Sequence, residues 1–318
     1  MSANTSIEWT DRTWNPVTGC QKVSAGCKNC YAEGVANRFW HHQYVHTIER
    51  GFIPVKAYDG DRMTGTLRKF TDVMTHEDRL LEPLSWRKPS KVFVNSMSDL
   101  FHEDVSDEFI ARAFAVMARA RKHTFQILTK RPKRMQQLMS CEDFEQFVAE
   151  EKERLNWADG DNAEFDSRDC QLPCWPLSNI WLGVSVENQD TLERIDLLKD
   201  TPAAIRFVSF EPLLEDLGAL ILDGIHWAIV GGESGHHARR CDIEWIRSVL
   251  RQCRAAAVPC FIKQLGSNPL DSRPPVRDIV DALAATGAFI ESSKGGDPDE
   301  WPVDLRVREF PTAAVAAR

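Results

Sequence analysis

Six short, nearly continuous apolar runs divide the chain: KVFVNS (91–96), TFQILTK (124–130), NIWLGVSV (179–186), IRFVSF (205–210), HWAIVGG (226–232) and PCFIKQ (259–264). A strand that is apolar at every position, instead of at alternate ones, has both faces covered, as in a parallel sheet flanked by helices. Helical patterns lie between the runs. From Ser106 to Arg121, Asp107 and Glu108 open a segment with Phe109, Ala113, Val116, Met117 and Ala120 on one face and Arg119, Arg121 and Lys122 at its end, which suits the helix dipole. From Asp242 to Ala256, an Asp cap precedes a stripe of Ile246, Val249, Leu250 and Cys253.

Start-to-start strand spacings of roughly 21 to 33 residues are those of βα units, with one of 55 residues between the second and third runs. That gap contains an acidic insertion at about 141–176, where residues 142–169 carry eleven acidic side chains against three basic ones. Alternating strands and helices permit an open doubly wound sheet or a barrel. Polar clusters follow five of the six runs, NSMSD, TKRPKR, SVENQD, SFEP and GGESG, and in a barrel these loops converge on one mouth. The expected fold is therefore α/β, a partial (β/α)6-type TIM-like barrel of parallel strands. One domain is expected over 1–310, with the tail after Gly295 lying over the surface and fraying at 311–318.

The N-terminal MSANTSIEWTDRTWNPV has no basic start followed by an apolar core, and no run approaches eighteen apolar residues. A cytoplasmic protein without a membrane segment is expected. In a reducing compartment thiols serve as metal ligands or small buried hydrophobes more often than as disulfides. The net charge of -8 argues against a surface coated by nucleic acid but leaves room for a local basic patch.

The sharpest motif is Cys20-x6-Cys27-x2-Cys30 in GCQKVSAGCKNCYAE, where Gly19 and Gly26 each precede a cysteine. Glycine lets backbone pass close to a bulky inorganic group. Three thiolates from one loop suit an iron-sulfur cluster with one iron left open, or zinc with a fourth ligand from His41, His42 or His46. Three buried core cysteines are the plain alternative.

The stretches SIEWTDRTWNPVTGCQKVSAGCKNCYAE, VFVNSMSDLFHE, LTKRPKRM, WLGVSVENQ, FVSFEPLL, WAIVGGESG and FIKQLG resemble a bacterial and phage family labelled a phage protein of unknown function. Its genetic neighbour is called the three-Cys-motif partner protein. That family is similar in turn to a divergent branch of the radical S-adenosylmethionine (SAM) enzymes, with spore photoproduct lyase among the nearer comparisons. The resemblance implies a first strand in TWNPVTGC, about seven strands in all, and a [4Fe-4S] cluster on Cys20, Cys27 and Cys30. It further implies SAM on the open iron, cleaved by one electron to a 5'-deoxyadenosyl radical that abstracts hydrogen from a substrate. Two features depart from the superfamily. Six residues separate the first two cysteines where three are usual, and Gly231-Gly232-Glu233, which resembles the SAM-amine motif, follows the sixth strand instead of the second.

On that resemblance, Asn95, Ser96, Ser98 and Asp99 stand where the SAM ammonium is bound, although Ser98 or Asp99 equally suits a helix N-cap. Lys130 and Arg131 suit the SAM carboxylate. Ser185, Glu187 and Asn188 suit ribose hydroxyls, and Glu211 and Glu233 add carboxylates to the mouth. Seven basic residues and no acidic one lie between Arg119 and Leu138. Lys130, Arg131, Lys133 and Arg134, with Arg239 and Arg240 of GHHARR, are therefore candidate phosphate contacts, helix C-terminal charge and solvated surface being the plain alternatives. Trp9 and Trp14 either stack on a base or shield the metal, the latter preferred. Cys170 and Cys174 suit an auxiliary metal or are free thiols. The expected activity is radical SAM-like, on a nucleic acid or nucleotide, with the three-Cys-motif partner protein as a candidate partner. The alternative is a non-catalytic, metal-stabilised protein that binds nucleic acid or a phage component.

Overall fold

The computed structural model describes residues 5–48, 51–55, 58–59, 62–63, 65–158, 172, 174–272 and 292–312. Each apolar run is a strand and a seventh precedes them: β1 Arg12–Trp14, β2 Lys91–Val94, β3 Thr124–Thr129, β4 Ile180–Ser185, β5 Ile205–Phe210, β6 Trp227–Gly231 and β7 Cys260–Gln264. They form one sheet in the order β1-β2-β3-β4-β5-β6-β7, which is chain order throughout. A doubly wound sheet reverses order at a switch point; this parallel sheet never does, so it is curled as a half-barrel. The helices longer than four residues, among those described, are α1 Tyr31–Phe39, α2 Asp107–Arg119, α3 Pro132–Met139, α4 Glu142–Ala158, α5 Glu193–Lys199 and α6 Ile243–Ala255. Among the described residues no helix is long and apolar enough to cross a membrane.

Contacts gather the chain into two compact units. The first comprises Met1–Val23, Cys30–Leu182 and Asp200–Ala204, and the second Ser24–Asn29, Gly183–Lys199 and Ile205–Arg318. In the first, β1 and β3 flank β2 in parallel, with Trp14 and Ile127 both opposite Val94. Trp14, Val92, Val94, Phe125 and Ile127 are wholly buried. The strand expected over TWNPVTGC starts earlier and stops before Pro16, which has no N–H to give a ladder. Beyond it, Val17–Thr18 pair antiparallel with Met74–Thr75.

Helix α2 is capped by Ser106, whose hydroxyl accepts the Phe109 N–H at 3.2 Å, and it buries Phe109, Ala113, Val116 and Met117 as the pattern predicts. The helical excursion expected in the acidic insertion is α4, where Phe144 meets Phe114 edge-on at 5.7 Å. Trp175 closes that cluster at 6.2 Å from each ring. Residues 159–171 of the insertion lie outside the described residues. The antiparallel strands Tyr44–Ile48, Gly51–Val55 and Thr66–Leu67 carry no such signal, because none is a continuous apolar run.

In the second unit β5, β6 and β7 are again parallel. Asp242 caps α6 by accepting the Glu244 N–H at 2.9 Å, and the buried stripe is the predicted one. The tail departs from expectation. Ile262 donates its N–H to Val307 O at 2.9 Å and Glu309 to Cys260 O at 2.9 Å, so residues 307–309 cover the edge of β7 that would otherwise present unpaired backbone. Phe310 stacks on Trp227 at 5.3 Å, and Trp301 and Leu305 are buried. Residues 313–318 lie outside the described residues. Truncating Trp301 to alanine is expected to cost about 3–5 kcal/mol, as for a core aromatic; chemical unfolding of the variant measures it, and a loss below about 0.5 kcal/mol, typical of surface sites, is the contrary result.

Candidate functional site

The cysteine stretch leaves the sheet through a narrow neck. Gly19 has φ +93, and a Cβ there would lie 2.5 Å from Asp72 O and 2.9 Å from Phe70 O, so only glycine passes at that point. Its N–H donates to Met97 O at 3.0 Å and that of Cys20 to Phe70 O at 2.9 Å. Cys20, Cys30, Trp40 and Met97 pack against Ala32, Ala36 and Phe70. Thr18, just before the neck, links two ionisable groups. Arg68 Nη2 donates to the Thr18 hydroxyl at 2.6 Å, and that hydroxyl stands 2.7 Å from His76 Nε2. With the ring neutral and Nε2 bare, the hydroxyl gives its proton to His76 while its oxygen accepts from Arg68. Burial agrees: together with the Arg79 and Arg68 charges it lowers the His76 pKa to about 4. Burial likewise lowers Arg68 to about 10, Asp72 opposing and Arg79 assisting. The Arg68 guanidinium lies 3.6 Å over the Trp40 ring.

The predicted ammonium ligands after β2 are engaged within the first unit. Asn95, at φ 62, accepts the Val17 N–H on Oδ1 at 3.2 Å, leaving its buried Nδ2 without a hydrogen-bond partner among the described residues. Ser98 donates to Val17 O at 2.9 Å. Asn15 Oδ1 receives the Ser96 hydroxyl at 3.2 Å and the Met97 N–H at 3.0 Å. Asp99 is buried and accepts from Phe101 N, the Thr129 hydroxyl, Lys130 N and Arg131 Nη1. Arg131, predicted as a cation for phosphate or for SAM, is turned inward. Its Nε donates to Glu103 at 2.8 Å, Nη2 to Gln21 O at 3.3 Å, and Nη1 reaches Cys20 Sγ at 3.6 Å. Burial opposes its charge, but Asp99, Cys20 and Glu103 outweigh that and raise its pKa.

In the second unit carboxylates hold residues 24–29. Glu187 is wholly buried, accepts the Ser24 hydroxyl at 2.9 Å and pairs with Arg194 at 3.1 Å. Ser24 also stands 3.9 Å from Cys27 Sγ. A Cβ on Gly26 would lie 2.4 Å from Glu187 Oε1. Ser185 is buried, its carbonyl receiving Arg194 Nη1 at 2.7 Å. Glu233 accepts Asn29 Nδ2 at 2.9 Å, the Arg239 N–H at 2.8 Å and the Arg239 guanidinium at 2.9 and 2.5 Å. Burial pushes the Glu233 carboxyl up, but the Arg239 and Asn29 hydrogen bonds prevail and hold it below its ordinary range. Arg239 Nη1 continues to Ala25 O at 2.9 Å. Gly232 lets the Leu265 carbonyl approach to 2.3 Å of where a Cβ would stand. Glu211 fills the space beside Gly231, accepts the Ser209 hydroxyl at 3.2 Å and pairs with Lys263 at 3.1 Å.

Among the predicted phosphate contacts, Arg131 and Arg239 are thus committed internally, as is Arg134, which donates to His102 O, Val105 O and Asp107. Lys130 is half-buried, and Lys133 and Arg240 are exposed. Trp9 and Trp14 are buried, Trp14 Nε1 donating to Arg79 O at 2.9 Å. His41 and His42 follow α1, and His46 lies on the antiparallel strand. Cys20, Cys27, Cys30 and Cys174 are in no disulfide among the described residues; Cys170 lies outside the described residues. Among the described residues no group of three or more His, Cys, Asp or Glu stands at metal-holding geometry.

Sequence reasoning passed over Arg68, His76, Asn29 and Arg194. Ser24 and Asn29 sit in the quoted cysteine stretch, where a hydroxyl and an amide beside thiols were the available signal. His76 generates a pH prediction. Its pKa is about 4 folded against 6.5 as the ordinary value, so the unfolded chain binds more protons between those values. Its contribution is complete above pH 6.5 and lost as pH falls toward 4. His76→Gln, whose amide oxygen still accepts from Thr18, is expected to flatten the fall in Tm over that window; an unchanged profile is the contrary result.

No curated protein and no solved structure matches the chain. A family model described as a protein of unknown function (DUF5131) matches residues 4–291. The chain belongs to that family.

Proposed function

We propose that the chain is a radical SAM-like enzyme on a TIM-type half-barrel, with Cys20, Cys27 and Cys30 as ligands of a [4Fe-4S] cluster. The observation that carries this reading is the emergence of a three-thiol stretch directly behind the first strand of a parallel sheet whose order never reverses. In its chemistry the donor set fits the group: three thiols outside any disulfide match the softness of iron in a cluster. Gly19 passes where a Cβ would strike backbone, and Gly26 lies where one would strike Glu187. Such a cluster, when bound, supplies one-electron reductive chemistry on SAM.

The chain's own residues then divide their work. Asn95, Ser98 and Asp99 fix the neck and the strand ends in the first unit, while Glu187 and Glu233 fix residues 24–29 in the second. Their acceptor oxygens serve the chain's own donors, so these residues support the thiols before they serve any ligand. Asn95 Nδ2, a buried donor without a hydrogen-bond partner among the described residues, suits an acceptor such as a carboxylate and not an ammonium. A nucleotide or nucleic-acid substrate stays in this proposal on Lys133 and Arg240, the exposed cations of the predicted set.

Anaerobic reconstitution tests the reading. Iron and sulfide are expected to bind, Cys27→Ala to lose most of the iron, and the EPR spectrum of the reduced protein to change on adding SAM. Iron that binds without any response to SAM overturns the enzyme. One equivalent of zinc in protein purified without oxygen favours a metal-stabilised binding protein instead.

A further inference from the structure

We infer that Arg131 is a positioning residue for Cys20, presenting one N–H to its sulfur and thereby raising the reduction potential of the metal group held there; this rests on the iron-sulfur reading above. The guanidinium is locked on three sides. Nε is bound to Glu103 at 2.8 Å, Nη1 to Asp99 at 3.3 Å and Nη2 to Gln21 O at 3.3 Å, with Nη1 3.6 Å from Cys20 Sγ. Its backbone is fixed too, the Arg131 N–H donating to the Thr129 hydroxyl at 2.9 Å while that hydroxyl donates to Asp99 at 2.7 Å. Arg131 therefore grips the chain at two successive residues, Cys20 by its sulfur and Gln21 by its carbonyl.

A phosphate-binding role accounts poorly for this arrangement. The side chain is 5% exposed, and two carboxylates face one guanidinium, so the triad carries a net negative charge. What remains for the sulfur is the short-range dipole of a fixed N–H. A hydrogen bond to a ligating thiolate stabilises the more negative, reduced state and moves the potential upward. A lysine keeps the charge but lacks the planar fork that reaches Asp99, Glu103, Gln21 and Cys20 together.

The full chain, reconstituted anaerobically and without SAM, tests this through iron content, midpoint potential and pulsed EPR of protein labelled with 15N-arginine. Wild type is expected to bind iron and show a 15N coupling. Arg131→Gln is expected to keep its iron, lose the coupling and titrate at a more negative potential; Arg131→Lys is expected to fall between. Absence of iron from wild type overturns the iron-sulfur reading and this inference with it. Iron bound with unchanged potentials and no arginine coupling overturns the inference alone. Where the variants fail to fold, the wild-type spectrum decides: a coupling supports the contact and its absence overturns it.

Discussion

The Asp99 carboxylate is the constraint on which the first unit's part of the cysteine stretch depends. It lies just past β2, yet its donors include the Thr129 hydroxyl and the backbone N–H of Lys130, which end β3, and the Arg131 guanidinium. A buried carboxylate satisfied by several donors is costly to disturb, because losing one leaves charge in a poorly solvating place. Its rigidity passes to Arg131 and from there to Cys20 and Gln21. Two strand ends and a thiol thus share one electrostatic support.

Glu187 and Glu233 follow the same logic in the second unit. Each is buried, each has an arginine partner, and each accepts from a short polar side chain of residues 24–29, Ser24 in one case and Asn29 in the other. Asn29 also reaches His237 O at 2.8 Å. Hydroxyl and amide donors are short and have few rotamers, so fixing them costs little conformational entropy compared with a lysine.

The strands and the main helices were legible because they depend on patterns the chain states locally. Continuous apolar runs mark β2 to β7, and Ser106 and Asp242 announce helix starts that the hydroxyl and carboxylate do cap. The packing of the tail was not legible: Trp301 and Leu305, its buried side chains, lie among Pro, Asp, Glu and Arg, and its backbone pairs with an edge strand about forty residues earlier in sequence. The polar clusters were legible as a set, but their roles were not. Sequence shows which acceptors a strand end supplies and not which donors reach them first, so Glu187, Glu233 and Asp99 read as ligand groups while the structure gives them partners from the chain itself.

The six residues between Cys20 and Cys27 are occupied in the same way. Gln21 supplies the carbonyl for Arg131, Ser24 the hydroxyl for Glu187 and Ala25 the carbonyl for Arg239. Gly26 is the position where Glu187 leaves no room for a Cβ, and Lys22 adds an exposed pair with Glu33 at 2.8 Å. Five of the six intervening residues therefore have a defined contact or a steric requirement, Val23 being the exception as an exposed apolar residue. A three-residue spacing keeps the thiols but leaves no room for all of these anchors. The longer stretch follows from fastening by buried carboxylates and arginines, since each anchor needs its own residue and backbone between anchors to turn.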